Sequence, residues 1–312
     1  MQTQQIDYLK IVDTLDIERI QKHPNILVAA SFWDEERYRA ARVCYKFMRD
    51  IDDLIDDYKA VHRTIREKDR DRFARRVSDW VESARNGKSR DPFMKELAQT
   101  IDRFAIPLWP VETFAESMIY DIGHDGFPTV PAFLNYAGGA SVAPSSIFVH
   151  LCGIRQVGGV YLEPLFDVKD AALPCAMFSY LVHIIRDFQK DQFDHLNYFA
   201  DDRIEANGLT RKDLGCIARG ARIPEGFRNL IREYRDLAEQ YRLETLKVID
   251  RITPLVEPRY ALSLNIIFNL YLMVFERIDP DNGKFTAVEL NPTPEEIRQR
   301  VVKTVEGFTI DD

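Results

Sequence analysis

The sequence has few cysteines, no glycine-rich linker and no excess of basic residues. Its four cysteines are scattered singly among apolar neighbours, and no two of them have the CxxC spacing of a zinc site. This pattern indicates buried free thiols in a reducing compartment. A net charge of −8 argues against nucleic acid as a partner, because binding to a phosphate backbone needs clustered lysine and arginine.

Long hydrophobic runs are also missing. The most apolar run, Ala261 to Phe275, is 15 residues long, which is short of the roughly 20 residues that cross a bilayer, so we expect a core helix there. The segment Met1 to Lys10 is polar and has no apolar core of a signal peptide. These features predict a cytoplasmic protein in which any membrane association is peripheral.

The periodicity of apolar residues is helical in almost every segment, and few credible strands are visible. No break in composition divides the chain, so we expect a single domain over residues 1–312. No repeat of 30–45 residues indicates a solenoid. The sequence therefore predicts an all-α fold, a helical bundle around a central space. The predicted helices are Thr3–Gln21, Asp34–Tyr58, Thr64–Ala84, Phe93–Phe104, Val111–Gly123, Ala132–Ala137, Ser145–Tyr161, Lys169–Phe193, Thr210–Arg219, Pro224–Ile252, Pro258–Ile278 and Thr293–Val305.

An acidic segment, residues 50–57, packs five aspartates into eight residues and keeps its apolar residues at helical spacing. At about 100° per residue, Asp52 and Asp56 lie one turn apart on one stripe, with Asp53 beside them. Like charges at this spacing destabilise a helix by roughly 0.2–0.5 kcal/mol per pair, which points to a bound cation. Ligands that are all oxygen favour Mg²⁺. Taken alone, the segment also fits a solvated helix face.

A second acidic pair, Asp187 and Asp191, repeats the i, i+4 spacing, and His183 extends the same face by one turn. The rest of this helix is apolar, so we expect the face to point inward. Two inward carboxylate faces on separate helices can hold several Mg²⁺ ions that bridge to a diphosphate. Alone, the second pair also fits a surface ion-pair ladder with Arg186 and Lys190. The two motifs together are more specific than either one.

Several segments that flank these motifs carry a resemblance. They are Ser31-Phe32, Arg39-Ala40, Tyr45 to Arg49, Asp52 to Asp56, Met118 to Asp121, Phe133 to Tyr136, Arg186-Asp187-x-x-x-Asp191, and Asn207 to Thr210 with Asp213-Leu214. With them, the chain resembles the squalene/phytoene synthase family of head-to-head prenyl-diphosphate synthases over most of its length. The resemblance implies a class I isoprenoid synthase bundle with a central cavity.

The same resemblance implies roles for individual residues. By it, the magnesium ligands are Asp52, Asp56, Asp187 and Asp191, with Asp53 supporting the first cluster. The implied substrate contacts are Ser31, Phe32, Tyr45, Arg49, Tyr136, His183 and Arg186, of which Tyr45, Arg49 and Arg186 are the expected catalytic residues. Candidate aromatic residues of the cavity wall are Phe32, Phe47, Phe148, Phe178 and Phe268, for each of which plain core packing is the alternative.

The family joins two farnesyl or two geranylgeranyl diphosphates through a cyclopropylcarbinyl diphosphate, giving squalene, dehydrosqualene or phytoene. The resemblance thus implies a Mg²⁺-dependent prenyltransferase. Only the squalene outcome uses NADPH, so NADPH stays undetermined. Substrates and products of this kind are greasy, which makes peripheral membrane contact an expectation, whereas the oligomeric state cannot be read from the sequence.

The chain departs from the family pattern near the second motif, which indicates a divergent branch. Tyr180 and His183 stand where the family usually has Gln and Asn, and the Asn normally helps to bind a metal. Three roles remain open for His183. It forms a hydrogen bond to Asp187, it replaces the asparagine as a metal ligand, or it is a core histidine whose hydrogen bonds are satisfied. Two alternatives remain for the function: a single-substrate class I terpene synthase, and a non-catalytic scaffold, which the completeness of both motifs disfavours.

Overall fold

A computed structural model describes residues 7–15, 25–62 and 64–308 of the chain. Regular structure in these residues is almost entirely helical, which confirms the predicted all-α class. The exception is a two-stranded antiparallel hairpin formed by β1 (Arg155–Val157) and β2 (Val160–Leu162). The prediction of one domain over residues 1–312 stays a prediction.

The helices are numbered here in chain order. They are α1 (Tyr8–Thr14), α2 (Asn25–Ala30), α3 (Glu35–His62), α4 (Glu67–Asn86), α5 (Pro92–Arg103), α6 (Trp109–Gly123), α7 (Val130–Ala137), α8 (Ala143–Gly153), α9 (Val168–Arg186), α10 (Phe188–Phe193), α11 (Asp201–Ala206), α12 (Arg211–Ala218), α13 (Glu225–Ile252), α14 (Pro258–Phe275), α15 (Ala287–Leu290) and α16 (Pro294–Glu306). A π-helical turn, Gly138–Val142, joins α7 to α8, and a 3₁₀ turn, Thr253–Leu255, joins α13 to α14.

The long amphipathic helices lie close to their predicted bounds, because their apolar stripes repeat at the helical period over many turns. The clearest case is the C-terminal helix α16. Thr293 and Glu296 form a capping box at its start, as the sequence predicts. Of the predicted helix Thr3–Gln21, the described part is helical only over Tyr8–Thr14, and the remainder lies outside the described residues.

Two predicted helices are wrong in part. The helix predicted over Ser145–Tyr161 ends at Gly153, and the hairpin follows. Gly158 and Gly159 form the turn of this hairpin with φ values of 58° and 83°, a left-handed conformation that favours glycine and suits a tight hairpin. The helix predicted over Lys169–Phe193 is broken at Asp187 into α9 and α10. The short helices α2, α11 and α15 were not predicted.

Helix α9 is the central element of the core and packs between α8 and α13. Its Phe178 lies between Phe268 and Phe275 of α14, with ring centroids 5.7 Å and 5.6 Å away. Among the described residues, α9 is also the helix with the length and apolar composition that a bilayer span requires, but 56% of that window is buried inside the fold. Burial by neighbouring helices is what a core helix shows.

A buried polar network fixes the start of α3 against α8 and α14. Trp33 donates from its indole nitrogen to Ser263 Oγ at 2.8 Å. Arg37 donates to the carbonyl of Leu151 at 3.0 Å and stacks 4.1 Å from the centroid of the Tyr260 ring. Because these groups are buried, losing one partner would leave another unsatisfied. The network therefore sets the position of α3 relative to the rest of the bundle.

Candidate active site

A cavity of about 350 Å³ lies between α3, α8 and α9, in the lower part of the range of about 300–1,000 Å³ for small-molecule sites. Its lining follows α3 from Ala41 to Asp56, about 22 Å at about 1.5 Å of rise per residue. Ala41 and Met48 give an apolar wall, and Asp52 and Asp56 an acidic one. Leu151 of α8 lines the apolar end. The cavity is therefore apolar at one end and acidic at the other.

The first acidic pair faces this cavity because of the helical period of α3. Ile51 and Ile55 are fully buried on the core side of the helix, and this leaves Asp52 and Asp56 on the cavity side, one turn apart. Burial raises the pKa of Asp52 to about 6, against the opposing charge of Arg49 and with added repulsion from Asp53. Burial and the like charge of Asp52 raise the pKa of Asp56 to about 8. The nearby cations do not offset burial and repulsion, so the pair favours a further positive charge.

Asp191 completes the acidic end from the second motif. Burial raises its pKa to about 8, and the neighbouring Asp187 and the facing Asp56 of α3 add repulsion. Asp191 and Asp56 both line the cavity. Carboxylates from two helices therefore face one another across one space, as the sequence predicts for Asp52, Asp56 and Asp191.

Asp187 lies at the break between α9 and α10. Its N–H donates to the carbonyl of His183 at 2.8 Å, and its own carbonyl accepts from the N–H of Asp191 at 2.9 Å. Helical hydrogen bonding thus continues across the break, which keeps Asp187 and Asp191 on the cavity side. The break therefore does not separate the two carboxylates.

Asp187 differs from the other aspartates because it already has two partners. Arg186 donates to its two oxygens at 2.7 Å and 2.9 Å, and Nε2 of His183 lies 2.6 Å from Oδ2. Burial would raise the pKa of Asp187, but His183 and Arg186 outweigh it and hold the pKa well below its usual range. His183 thus bonds to Asp187, one of the roles that the sequence left open.

Arg49 is the cation beside the first motif. It donates to Asp52 at 2.8 Å and forms a second ion pair with Asp53. Arg49 lines the cavity, whereas Asp53 does not. Asp53 therefore acts on the cavity through its ion pair with Arg49 and through its charge, which raises the pKa of Asp52.

The acidic end fits Mg²⁺ held by few protein ligands. In the described residues, no three His, Cys, Asp or Glu side chains converge on one point. Mg²⁺ commonly takes one or two carboxylates and fills its octahedron with water and phosphate oxygens. Asp52, Asp56 and Asp191 offer carboxylates whose burial and mutual repulsion favour a cation, so the donor set suits this ion.

Several predicted residues lie away from the cavity. Tyr45, Tyr136, His183 and Phe148 line it. Besides Asp53, the predicted residues that do not line it are Ser31, Phe32, Phe47, Phe178, Arg186 and Phe268. Ser31 instead donates to the carbonyl of Val28 at 2.6 Å, and Phe32 is fully buried. Core packing, the alternative that the sequence left open, accounts for Phe32, Phe47, Phe178 and Phe268. The substrate contacts expected of Ser31 and Arg186 stay predictions.

Sequence reasoning missed a buried ion pair behind the acidic end. Nζ of Lys59 donates to Asp121 Oδ1 at 2.7 Å and to the carbonyl of His124 at 3.0 Å. Asp121 adds negative charge that raises the pKa of Asp52 and Asp56. Asp121 stands in one of the segments that carry the family resemblance, and that was the available signal.

Tyrosines also surround the acidic end. Tyr136, Tyr180, Tyr198 and Tyr271 line the cavity. Burial and the facing carboxylates raise the pKa of Tyr136, Tyr180 and Tyr198 well above the ordinary value, so their hydroxyls stay protonated and can donate. The sequence singled out Tyr136 and the departure at Tyr180, but not the other two.

The fold is similar to those of solved synthase structures. A dehydrosqualene synthase in complex with a ligand superposes with a TM-score of 0.66 at 16% identity, covering 97% of this chain and 99% of the other. A squalene synthase from Alicyclobacillus acidocaldarius gives a TM-score of 0.63 at 18% identity, over 83% and 89% of the two chains. At these identities the likeness establishes the helical fold and not the activity.

Curated relatives are phytoene synthases of plants. The chloroplastic phytoene synthase of Narcissus pseudonarcissus is 25% identical over 179 residues, 57% of this chain and 40% of its own length. The chloroplastic phytoene synthase 1 of Zea mays is 27% identical over 183 residues, 58% and 42% of the two lengths. The matched segment thus spans about 40% to 55% of the length of the curated relatives that it matches. The family model for squalene/phytoene synthase matches residues 21–302, so the chain belongs to the squalene/phytoene synthase family.

Proposed function

We propose that the protein is a Mg²⁺-dependent prenyltransferase that joins two prenyl diphosphates head to head. The observation that carries the proposal is the pairing of Asp52 and Asp56 with Asp191 at one end of a cavity whose other end is apolar. A prenyl diphosphate has the same division between a charged head and an apolar chain. Farnesyl and geranylgeranyl diphosphate are the proposed substrates, on the basis of the family.

The residues of the acidic end bind and orient the diphosphate. Asp52, Asp56 and Asp191 would hold Mg²⁺ there, and the bound ion would supply the Lewis acid that favours loss of diphosphate. Arg49 and Lys190 line the same end and share the negative charge of the leaving group. The protonated hydroxyls of Tyr136 and the neighbouring tyrosines donate hydrogen bonds to it, because their pKa values are raised.

The apolar end excludes water from the cationic prenyl chain. Phe148 lines this part of the cavity, and the face of its ring attracts positive charge. The chain would thus be held by Ala41, Met48 and Leu151 while the charge develops at the acidic end. Squalene, dehydrosqualene and phytoene are the products that this chemistry allows, and NADPH enters only for squalene.

The proposal is tested by incubating the protein with farnesyl or geranylgeranyl diphosphate and Mg²⁺, with and without NADPH. Mass spectrometry of the organic extract identifies the product. A joined hydrocarbon or alcohol of doubled carbon number supports the proposal and sets the chain length. An unjoined product would replace it with a single-substrate terpene synthase, and no Mg²⁺-dependent turnover would favour a scaffold.

A matched pair of variants links turnover to the acidic end. Asp52→Asn removes a carboxylate that faces the cavity, and we expect turnover to fall at least about a hundredfold with the fold intact. Asp50→Asn changes a neighbouring aspartate that instead pairs with Lys46 at 2.5 Å on the exposed side of α3. Wild-type rates in Asp52→Asn, or equal losses in both variants, would contradict the assignment.

A further inference from the structure

The hairpin of β1 and β2 presents an unusual surface. Its cross-strand pairs are Arg155 with Leu162, Gln156 with Tyr161, and Val157 with Val160. Because side chains alternate along a strand, the first and third pairs share one face. On that face Val157 and Val160 are 58% and 62% exposed, and Leu162 is 41% exposed. The outward face of the hairpin is thus aliphatic, with one cation.

The inward face holds the hairpin on the body. The ring of Tyr161 lies 4.7 Å from that of Phe104, and its hydroxyl is 3.4 Å from Glu36. Just beyond β2, Pro164 and Phe166 pack so closely on Gly153 that an added Cβ would lie 2.9 Å and 2.6 Å from them. These contacts fix the register of the hairpin, so the aliphatic residues cannot turn inward to bury themselves.

Leu165, just beyond β2, is a further exposed aliphatic residue. It lies between Pro164 and Phe166 and is 57% exposed. Arg155, beside Val157 on the outward face, makes no ion pair within the described residues. Aliphatic side chains beside a cation on one face are the composition that lies in the interface of a lipid bilayer.

The position of the hairpin agrees with this composition. It sits on the first turn of α3 at Glu36, and Asp52 lies about 24 Å further along that helix at about 1.5 Å per residue. Such a distance exceeds the Debye length of about 8–10 Å at physiological ionic strength. Leu151 at the apolar end of the cavity precedes β1 by four residues. The hairpin therefore lies near the apolar end of the cavity, away from the acidic end.

We propose that the outward face of the hairpin, Val157, Val160 and Leu162 with Arg155, docks the protein on a lipid bilayer together with Leu165. The aliphatic side chains enter the headgroup region and Arg155 meets lipid phosphates. A second copy of the chain is a poorer occupant, because a stable protein interface involves about 20–30 residues a side and this patch has five. The docking does not depend on the proposed reaction.

Vesicle flotation tests the proposal with the intact chain and no substrate. We expect the wild type to float with phosphatidylcholine vesicles, and more strongly when phosphatidylglycerol is added. The double variant Val157→Asp/Val160→Asp should lose at least about tenfold in partitioning, because charged residues enter the interface poorly. Arg155→Gln should remove only the gain that phosphatidylglycerol gives.

The matched control is Val61→Asp/Val288→Asp, which makes the same change at two valines that are 76% and 92% exposed elsewhere. It should float like the wild type, and circular dichroism should show all variants folded. No flotation of the wild type, or equal flotation of both double variants, would overturn the proposal. If instead the hairpin variant alone converts an oligomer to a monomer, with no vesicle binding by the wild type, the face is an interface between copies.

Discussion

Nε2 of His183 lies 2.6 Å from Oδ2 of Asp187. Arg186 donates to both oxygens of the same carboxylate, so both oxygens of a predicted magnesium ligand already have a partner. Asp56 and Asp191 have no ion-pair partner within the described residues, Asp52 pairs with Arg49 through one oxygen, and all three carboxyl groups have raised pKa values. The two acidic motifs are therefore unequal, and Asp52, Asp56 and Asp191 are better cation ligands than Asp187.

Replacing His183 by asparagine should strengthen metal binding. The variant His183→Asn removes one partner of Asp187 and adds an amide oxygen, the group that the family has there. We expect Mn²⁺ to bind up to about tenfold more tightly in the presence of inorganic diphosphate, the size of effect that one outer-shell group has. Electron paramagnetic resonance of free Mn²⁺ measures this. The control is His62→Asn, an exposed histidine at the end of α3, and unchanged binding in His183→Asn would refute the idea.

The stability of the metal-free protein should fall as the pH rises from about 5 to 9. In the folded state Asp56 and Asp191 keep their protons up to a pKa of about 8, whereas unfolded aspartate loses its proton near about 3.9. Unfolding therefore releases protons over this window, and higher pH favours it. Thermal melts in EDTA across this range give the slope.

Mg²⁺ and two variants test the origin of that slope. Added Mg²⁺ should flatten it, because a cation favours the ionised carboxylates. Asp56→Asn should reduce it, and Asp57→Asn, at an exposed neighbour, should leave it unchanged. A melting temperature that does not depend on pH in EDTA would show that these carboxyl groups are ionised in the folded state.

The buried pair of Lys59 and Asp121 should be needed as a pair. Lys59→Met leaves a buried carboxylate without its cation, and we expect a loss of about 3–5 kcal/mol in the free energy of unfolding. The double variant Lys59→Met/Asp121→Asn should recover part of that loss. Urea denaturation measures both. The control is Lys46→Met, which breaks an exposed pair with Asp50 and should cost about 0–1 kcal/mol. If Lys59→Met costs no more than Lys46→Met, burial does not make the Lys59–Asp121 pair important for stability.

Two adjacent glycines in the π-helical turn should respond differently to alanine. A Cβ at Gly139 would collide with Ser117 Oγ and lie 2.5 Å from the carbonyl of Thr113 on α6, whereas nothing lies within 4 Å of a Cβ at Gly138. Gly139→Ala should cost at least about 1–3 kcal/mol through overpacking. Gly138→Ala should be neutral or stabilise by up to about 1 kcal/mol. Urea denaturation midpoints of the two variants measure this difference. Similar midpoints would mean that α6 can shift to accommodate a Cβ at Gly139.

Local spacing explains what could be predicted. Asp52 and Asp56 share a face because they are four residues apart in a long amphipathic helix, and no distant residue is needed to see it. The same holds for the capping box at Thr293 and Glu296. The hairpin was missed because its strands are too short for alternation to outweigh the preceding helical pattern, although Gly158-Gly159 was a turn signal.

The sequence by itself determined the helical class, the family and the two carboxylate faces, because periodicity and motif spacing are local properties of the chain. Only the tertiary structure decided that Lys59 pairs with Asp121, that Asp187 is held by His183 and Arg186, and that Phe148 alone of five candidate phenylalanines lines the cavity. It also decided that the hairpin turns its aliphatic face outward. These outcomes depend on which side chains, distant in sequence, come into contact when the helices pack. Such contacts decide hydrogen-bond partners and burial, and spacing along the chain does not.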